Sequence, residues 1–199
     1  YPRILKDEIV GEEASKLFKD AQEMLNHALE KNWLEVEAVY GIWEAHTIED
    51  DIFIFDEKDE LLAVSHCLRQ QTKKSSKAFN MSLSDFIAPK STGIKDYIGA
   101  FVVTAGKKID QIAKKFEEDL DDYNSIMIKA LADRMAEAAA EYLHQKVRNE
   151  YWGYAEEQFS NEELIKEKYQ GIRPAPGYPA CPDHTEKETI FHLLDATNK

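Results

Sequence analysis

Apolar residues recur along the chain at two spacings, and the first of these predicts helices. Between Glu12 and Trp33 they fall at every third or fourth position, the spacing of an amphipathic helix. The same spacing predicts a short helix over Ile109 to Glu118 and a long one over Tyr123 to Tyr151. Ser160 and Thr185 each have a Glu three residues later, a capping-box pattern that predicts two further helices.

The second spacing is that of strands. Runs of β-branched and aromatic residues predict strands over Val36 to Trp43, Ile52 to Phe55, Leu61 to Val64 and Tyr97 to Thr104. The polar residues Asp56 to Asp59 predict a hairpin turn. Because the early strands are joined too closely for helical crossovers, they indicate a mainly antiparallel sheet flanked by helices rather than a doubly wound parallel one.

Length and charge narrow the class of protein. The 199 residues suit about one domain, and 43% hydrophobic residues with 32% charged ones indicate a soluble globular chain. The net charge of −13 would repel nucleic acid and anionic membrane surfaces, so neither is expected as a partner. No apolar run reaches the roughly 18 residues of a membrane span, and the amino terminus resembles no signal peptide.

Cysteine usage points to a cytoplasmic protein. Cys67 and Cys181 are the two cysteines, and their wide separation excludes a disulfide framework or a zinc site of the Cys-x-x-Cys kind. Reduced thiols are therefore expected. The chain begins without Met, which suggests a piece of something longer.

The segment from Gly171 to Pro182 is the most informative stretch for function. It contains four of the six prolines, which predicts a stiff, irregular path with few conformations to lose on binding. Arg173 offers a forked cation for a carboxylate, Ala175 and Gly177 allow a flat ligand to approach the backbone, and Tyr178 adds a ring with a hydroxyl. The alternative is a rigid surface connector with Arg173 paired to an acid.

Two acidic clusters are weaker candidates. Asp133, Glu137 and Glu141 share one face of the long predicted helix, where they either meet a cation or form a solvated acidic face. The residues from His46 to Asp51 include one imidazole and three carboxylates, which are side chains that can bind a metal ion. Their spacing matches no known ligand motif, so a charged loop at the sheet edge is the favoured interpretation. No motif of a self-contained enzyme is present, so we predict neither a catalytic residue nor a metal ligand.

The proline segment and its surroundings also carry a family resemblance. The motifs are Tyr1-Pro2-Arg3-Ile4-Leu5, Val10-Gly11-Glu12-Glu13-Ala14, Leu68-Arg69-Gln70-Gln71, Asp85-Phe86-Ile87-Ala88-Pro89-Lys90, Asp96-Tyr97-Ile98-Gly99-Ala100-Phe101, Asp121-Asp122-Tyr123-Asn124, Lys129-Ala130-Leu131-Ala132-Asp133-Arg134, Tyr151-Trp152-Gly153-Tyr154, the run Arg173 to Pro182, and His184-Thr185-Glu186-Lys187. In this order they resemble the activation domain of cobalamin-dependent methionine synthase, the domain that binds S-adenosylmethionine. The resemblance covers nearly the whole chain.

This resemblance implies an α+β fold, a C-shaped single domain with a twisted antiparallel sheet, over residues 1–199. It implies a part of a cytoplasmic methyltransferase of methionine biosynthesis, 5-methyltetrahydrofolate–homocysteine methyltransferase. In that enzyme S-adenosylmethionine and an electron from a flavodoxin or a diflavin reductase return cob(II)alamin to methylcobalamin. The cobalamin belongs to a neighbouring domain of the same polypeptide, and zinc belongs to another module. The protein contributes orientation, because a sulfonium methyl is already activated.

The resemblance also assigns roles to five residues of the ligand site. Arg173 is expected to bind the carboxylate of S-adenosylmethionine, with Ala175, Gly177 and Tyr178 lining a shallow site along the proline segment. Glu137 is expected to reach the same ligand through its amino group.

Further expectations concern the rim of the site and the ends of the chain. His184 and Tyr178 are expected to face cobalamin, and Asp133 to meet the neighbouring domain. The family segments like Ile-Asp-Trp-Thr-Pro-Phe-Phe and Ser-Val-Ser-Gly-Trp-Tyr-Phe, which also touch the ligand, are missing at the two ends, so the fragment alone is expected to bind weakly and to be inactive. Two other functions stay open: a stand-alone S-adenosylmethionine-binding regulatory module, and a non-catalytic interaction scaffold that uses the acidic surface.

Overall fold

The computed structural model describes residues 3–75 and 78–198, and their regular structure is five α-helices and four strands. The helices are α1 (Gly11–Glu30), α2 (Ile109–Glu118), α3 (Asp122–Lys146), α4 (Asn161–Ile165) and α5 (Glu186–Leu194). The strands are β1 (Glu37–Ile48), β2 (Asp51–Phe55), β3 (Leu61–His66) and β4 (Asp96–Thr104). The chain divides into two units, one running up to Glu37 and resuming at Val103–Leu143, the other formed by Ala38–Val102 and by the chain from His144 onward.

The first unit is helical. Its core is an apolar cluster from α1, α2, α3 and the chain after α1: Ala28, Leu34, Ile109, Ile112, Ala113 and Ile128. The predicted first helix is confirmed, but it ends at Glu30 rather than Trp33. Asn32 takes a left-handed backbone conformation (φ 52°), and the Trp33 amide donates back to the Ala28 carbonyl at 2.8 Å. This is the geometry of a Schellman C-cap, and it turns Trp33 onto the core.

The long helix reaches its predicted end at Tyr151, but its last turn is not α-helical. Its α-helical part stops at Lys146, and Val147–Tyr151 form a single π-helical turn. The Trp152 amide donates to the Val147 carbonyl at 2.9 Å, and Gly153, with φ 70°, ends the helix because few residues other than glycine adopt that conformation. The last turn of α3, from His144, belongs to the second unit.

The sheet has the strand order β3-β2-β1-β4, and β2 pairs antiparallel with both β1 and β3. The predicted antiparallel sheet is therefore confirmed. The prediction of a charged loop from His46 to Asp51 is wrong in extent, because His46 and Ile48 are still on β1 and pair with Phe53 and Asp51. The His46 ring stacks on Phe53 and Phe55, so its aromatic contacts extend the strand. Glu49, with φ 56°, begins the short turn.

The core of the second unit lies against the sheet. Its buried members are Ala45, Ile52, Ile54 and Cys67, and Trp43, Leu83, Ile87, Ile98 and Leu193 pack on them. Burial raises the pKa of the Cys67 thiol to about 11, with the Cys181 thiol contributing, so both buried cysteines stay protonated and poorly nucleophilic. Within the described residues, no helix is long and apolar enough to cross a membrane.

The loop after β3 is held by one arginine. The Arg69 guanidinium donates to Asp50 at 2.6 Å and to Asp85 at 2.8 Å, and also to the Asn80 carbonyl. Arg69 accordingly holds the pKa of the Asp85 carboxyl below its usual range. The Asp85 carboxylate also accepts from the Ser82 amide, so it closes a capping box that begins the turn at Leu83–Phe86.

Candidate functional site

The proline segment forms two consecutive β-turns in place of regular structure. In the first, the Tyr178 amide donates to the Ala175 carbonyl at 3.0 Å. Pro176 and Gly177 occupy the central positions, and Gly177 has φ 106°, the pattern of a type II turn. In the second turn the Cys181 amide donates to the Tyr178 carbonyl at 2.9 Å. The irregular path expected from the prolines is confirmed.

These turns present Tyr178 to solvent. The Gly177 amide donates to the Cys181 carbonyl at 2.7 Å, which closes the two turns on each other. Cys181 is buried and anchors the pair, whereas Tyr178 is 59% exposed. A ring presented in this way is available for contact without a backbone rearrangement.

His184 packs against the first turn. A Cβ added at Gly177 would overlap the His184 imidazole, so the place of a side chain at position 177 is taken by that ring. Sequence reasoning treated Gly177 as room for a ligand. The structure shows two other constraints that require glycine at position 177: the positive φ, and the His184 imidazole, which fills the space of a Cβ. Gly177 and His184 are therefore in contact.

Two acids fix the start of α5, and with it the chain beside His184. The Asp183 carboxylate accepts from the amide and the hydroxyl of Thr185, both at 2.8 Å, and these bonds lower the pKa of Asp183. Helix α5 does begin after Thr185 as predicted, but the predicted capping box is wrong: Thr185 already has helical backbone angles and its side chain accepts no bond from the helix, while its hydroxyl donates to Asp183. The buried Glu186 accepts from the Ser65 hydroxyl at 2.6 Å and from the His66 amide at 3.2 Å, which ties α5 to β3.

These contacts give a matched pair of substitutions at glycine. Gly177→Ala is expected to displace His184 and to destabilise the turn by roughly 1–3 kcal/mol, because it adds ring overlap to an unfavourable positive φ. Gly93→Ala is the control, since Gly93 also has a positive φ (67°) but a Cβ there would have no atom within 4 Å. Thermal unfolding and the NMR chemical shift of the His184 ring measure both effects. An unmoved His184 signal in Gly177→Ala would contradict the packing.

Arg173 is half-buried, and the chain leading to it is constrained. Gly171 has φ 95°, and a Cβ there would lie 3.1 Å from the Tyr154 hydroxyl oxygen. That hydroxyl donates to the Gln170 carbonyl at 3.3 Å. Tyr154 therefore fixes the path of the backbone two to three residues before Arg173.

A buried cluster beneath this path was not found from the sequence. Arg148 is completely buried, its Nη1 donates to Nδ1 of His144 at 2.6 Å, and its guanidinium carbon lies 4.1 Å from the centre of the Tyr169 ring. The His144 ring meets Tyr169 edge-on, at 4.9 Å between centroids. Because an arginine only donates, Nδ1 of His144 accepts and the neutral ring carries its proton on Nε2. The available signal was the i, i+4 spacing of His144 and Arg148.

The electrostatics of the cluster favour an anion near it. Burial, together with the positive charges of Arg148 and Arg173, lowers the pKa of His144 to about 3. His144 is therefore neutral at physiological pH, and the two guanidinium groups both act on it. A carboxylate that approaches Arg173 would be attracted by that cation, and by the part of the Arg148 charge that its long ion pair with Glu157 leaves uncompensated.

The lowered pKa makes His144 a source of acid sensitivity. Between pH 6.5, its ordinary pKa, and pH 3 the unfolded chain binds a proton that the folded chain refuses, so stability is full above pH 6.5 and falls as the pH drops. Between pH 7 and pH 5 the loss should be on the order of 1–2 kcal/mol. Urea unfolding of the parent and of His144→Gln, which cannot titrate, should differ by that amount. Parallel pH profiles would contradict the buried neutral histidine.

The acids predicted on the long helix lie in the first unit. Asp133 and Glu137 are exposed on α3, and Glu141 is half-buried there. Arg173, Ala175, Gly177, Tyr178 and His184 all lie in the second unit. The approach of Glu137 to the ligand of Arg173 stays a prediction. Among residues 3–75 and 78–198, no group of three or more His, Cys, Asp or Glu side chains is arranged to hold a metal ion.

Comparison with known proteins gives the family. The sequence matches the profile of "Vitamin B12 dependent methionine synthase, activation domain" over residues 1–199. A solved structure, described as the MetH reactivation domain bound to AdoHcy, is 58% identical in sequence and superimposes with a TM-score of 0.89. The match covers 98% of this chain and 61% of that one, so the chain spans less than two thirds of the solved relative. The chain therefore belongs to the family of activation domains of vitamin B12-dependent methionine synthase.

Proposed function

We propose that this chain belongs to an S-adenosylmethionine-binding reactivation domain, and that it supports the reductive methylation of cobalamin in a cytoplasmic methionine synthase. The observation that carries the proposal is the exposed double turn of the proline segment, with the half-buried Arg173 at its start. The solved relative's AdoHcy, at 58% identity, supports a ligand of the same class here. S-adenosylmethionine supplies an activated methyl group, and cobalamin in a neighbouring domain accepts it together with an electron from a flavodoxin or diflavin reductase.

The donor set of the segment suits the amino-acid end of such a ligand. Arg173 is the carboxylate partner, since a forked guanidinium binds a carboxylate through two parallel hydrogen bonds. Arg148 is a second cation of this region, and its charge, like that of Arg173, lowers the pKa of His144. Ala175 and Tyr178 line the exposed side of the double turn, and the path between them is held by the hydrogen bond from the Tyr178 amide to the Ala175 carbonyl.

The chain's part in the reaction is orientation. The turn that contains Gly177 holds His184 in place, and we propose that Tyr178 and His184 form the rim that meets the cobalamin domain. Asp133 is proposed to meet the same domain from α3. Holding a reactive methyl in line with its acceptor is worth several kcal/mol of a reaction barrier without any acid or base chemistry.

Titration of S-adenosylmethionine by calorimetry into a chain extended at both ends by the family segments tests this function. Saturable binding with one site per chain is expected. Absence of binding by the extended chain would rule out the proposed ligand. The 199-residue chain measured alongside shows how much of the affinity the outer segments contribute.

Glu137 provides a test of the amino group. Glu137→Gln is expected to weaken S-adenosylmethionine by about tenfold, since a charge-assisted hydrogen bond to the ligand ammonium is lost. An analogue without the amino group should lose almost nothing. Glu141→Gln is the control on the same helix face. Equal losses for both ligands would show that Glu137 shapes the site without touching the amine.

A further inference from the structure

We propose that Arg148 is a positioning residue for Arg173: through Tyr169 it holds the chain from which Arg173 reaches the ligand carboxylate. The carboxylate in this proposal rests on the proposed function. The positioning of Arg173 by Arg148 depends only on contacts within the second unit. It can therefore be measured both without ligand and with ligand.

The first observation is the burial of a permanent charge. Arg148 has no exposed surface, and its Nε and Nη2 atoms make no hydrogen bond with any described residue. Its ion pair with Glu157 is long, with Oε2 3.6 Å from Nε and no hydrogen bond between the two side chains. Taking a guanidinium out of water is costly, and a long ion pair compensates that cost only in part, so a structural arginine would be expected to be better paired.

The second observation is what Arg148 does contact. Its guanidinium lies 4.1 Å from the centre of the Tyr169 ring, and Tyr169 is buried four residues before Arg173. A cation over a desolvated aromatic ring is a stabilising contact. Between Tyr169 and Arg173 the backbone is held by the Tyr154 hydroxyl, which donates to the Gln170 carbonyl at 3.3 Å. The position of Tyr169 therefore sets the position of Arg173.

The third observation concerns charge. Arg148 and Arg173 both act on the same neutral imidazole, that of His144. Two guanidinium groups that act on one uncharged ring repel each other, Glu157 offsets part of the charge of Arg148, and an anion bound at Arg173 relieves the remaining repulsion. Arg148 and Tyr169 contact the His144 ring, and the charge of Arg173 acts on it as well, so both positioning and charge favour a carboxylate at Arg173.

Arg148→Met tests the proposal, since it removes the charge and keeps most of the apolar volume. Without ligand, ¹⁵N relaxation of the Arg173 Nε–H should change from that of an ordered side chain to that of a mobile one. With ligand, affinity for S-adenosylhomocysteine should fall about tenfold, whereas affinity for 5′-methylthioadenosine, which lacks the carboxylate, should change less than about twofold. Arg69→Met is the matched control, because Arg69 bonds elsewhere in the same unit.

The outcomes separate this proposal from the proposed function. An ordered Arg173 in Arg148→Met, or equal losses for both adenosine ligands, would overturn the positioning role. If the parent binds neither S-adenosylhomocysteine nor 5′-methylthioadenosine, the proposed function is wrong. The ¹⁵N relaxation of Arg173 in the ligand-free protein then still shows whether Arg148 positions Arg173. Should Arg148→Met not fold, Tyr169→Leu removes the ring that carries the contact and is expected to give the same two results. His144→Gln, whose amide oxygen can accept from Arg148, should stay close to the parent.

Discussion

Arg173→Ala is expected to lower the affinity for S-adenosylmethionine by about 2 kcal/mol or more, roughly thirtyfold, in the chain extended at both ends. The loss follows from removing a charge-assisted contact to a carboxylate at a half-buried position. The effect on folding should be small, because the turns after Arg173 are closed by backbone hydrogen bonds that the substitution leaves intact. Calorimetry measures the affinity and circular dichroism the stability.

A second arginine gives the control for this prediction. Arg69→Ala removes a guanidinium that is bonded to Asp50 and Asp85, so it should reduce stability while leaving the affinity unchanged. The affinity of Arg173→Lys should lie between those of the parent and Arg173→Ala, since lysine keeps the positive charge but cannot form two parallel hydrogen bonds to a carboxylate. Equal affinity of Arg173→Ala and the parent would remove Arg173 from the site.

The other large effect is expected in the intact enzyme. The isolated chain, incubated with S-adenosylmethionine, a reductase and free cob(II)alamin, should form methylcobalamin no faster than buffer, because it contributes orientation only. The domain fused to its cobalamin module should reactivate, and it should lose that ability when Tyr178 or His184 is replaced by alanine. Absorbance spectra that follow methylcobalamin give the rates.

Two results would contradict this expectation. Rapid methylation by the isolated chain would overturn the positioning role. Full reactivation by both variants of the fused enzyme would show that the cobalamin domain docks on a surface other than the rim formed by Tyr178 and His184. A Phe79→Ala variant, which changes another exposed aromatic residue of the second unit, is the control for surface changes in general.

Most of the fold was predictable because the apolar spacing is regular. The helix over Ile109–Glu118 was predicted to the residue, and the strand at Asp51–Phe55 within one. Errors arose where tertiary contacts decided the ends. The predicted loop at His46 is strand because its ring stacks on Phe53 and Phe55, and Thr185 does not cap α5 because its backbone is already helical, with its amide bonded to the Asp183 carboxylate.

The site was predictable in its exposed part and not in its buried part. Proline and glycine in the segment after Gly171 predict turns by themselves, since they act through the local backbone. The Arg148 cluster depends on Tyr169, and the start of α5 depends on Ser65, which lies far away in the sequence. No local pattern reports such contacts. His144 looked like one more polar residue of a long helix until its neighbours were known.

The most direct test of the central claim is a crystal structure of the extended chain with S-adenosylhomocysteine bound. The account predicts the ligand carboxylate within hydrogen-bond distance of the Arg173 guanidinium, and the rest of the ligand along the exposed side of the double turn at Ala175 and Tyr178. A ligand bound on another surface, or bound here with its carboxylate away from Arg173, would contradict it.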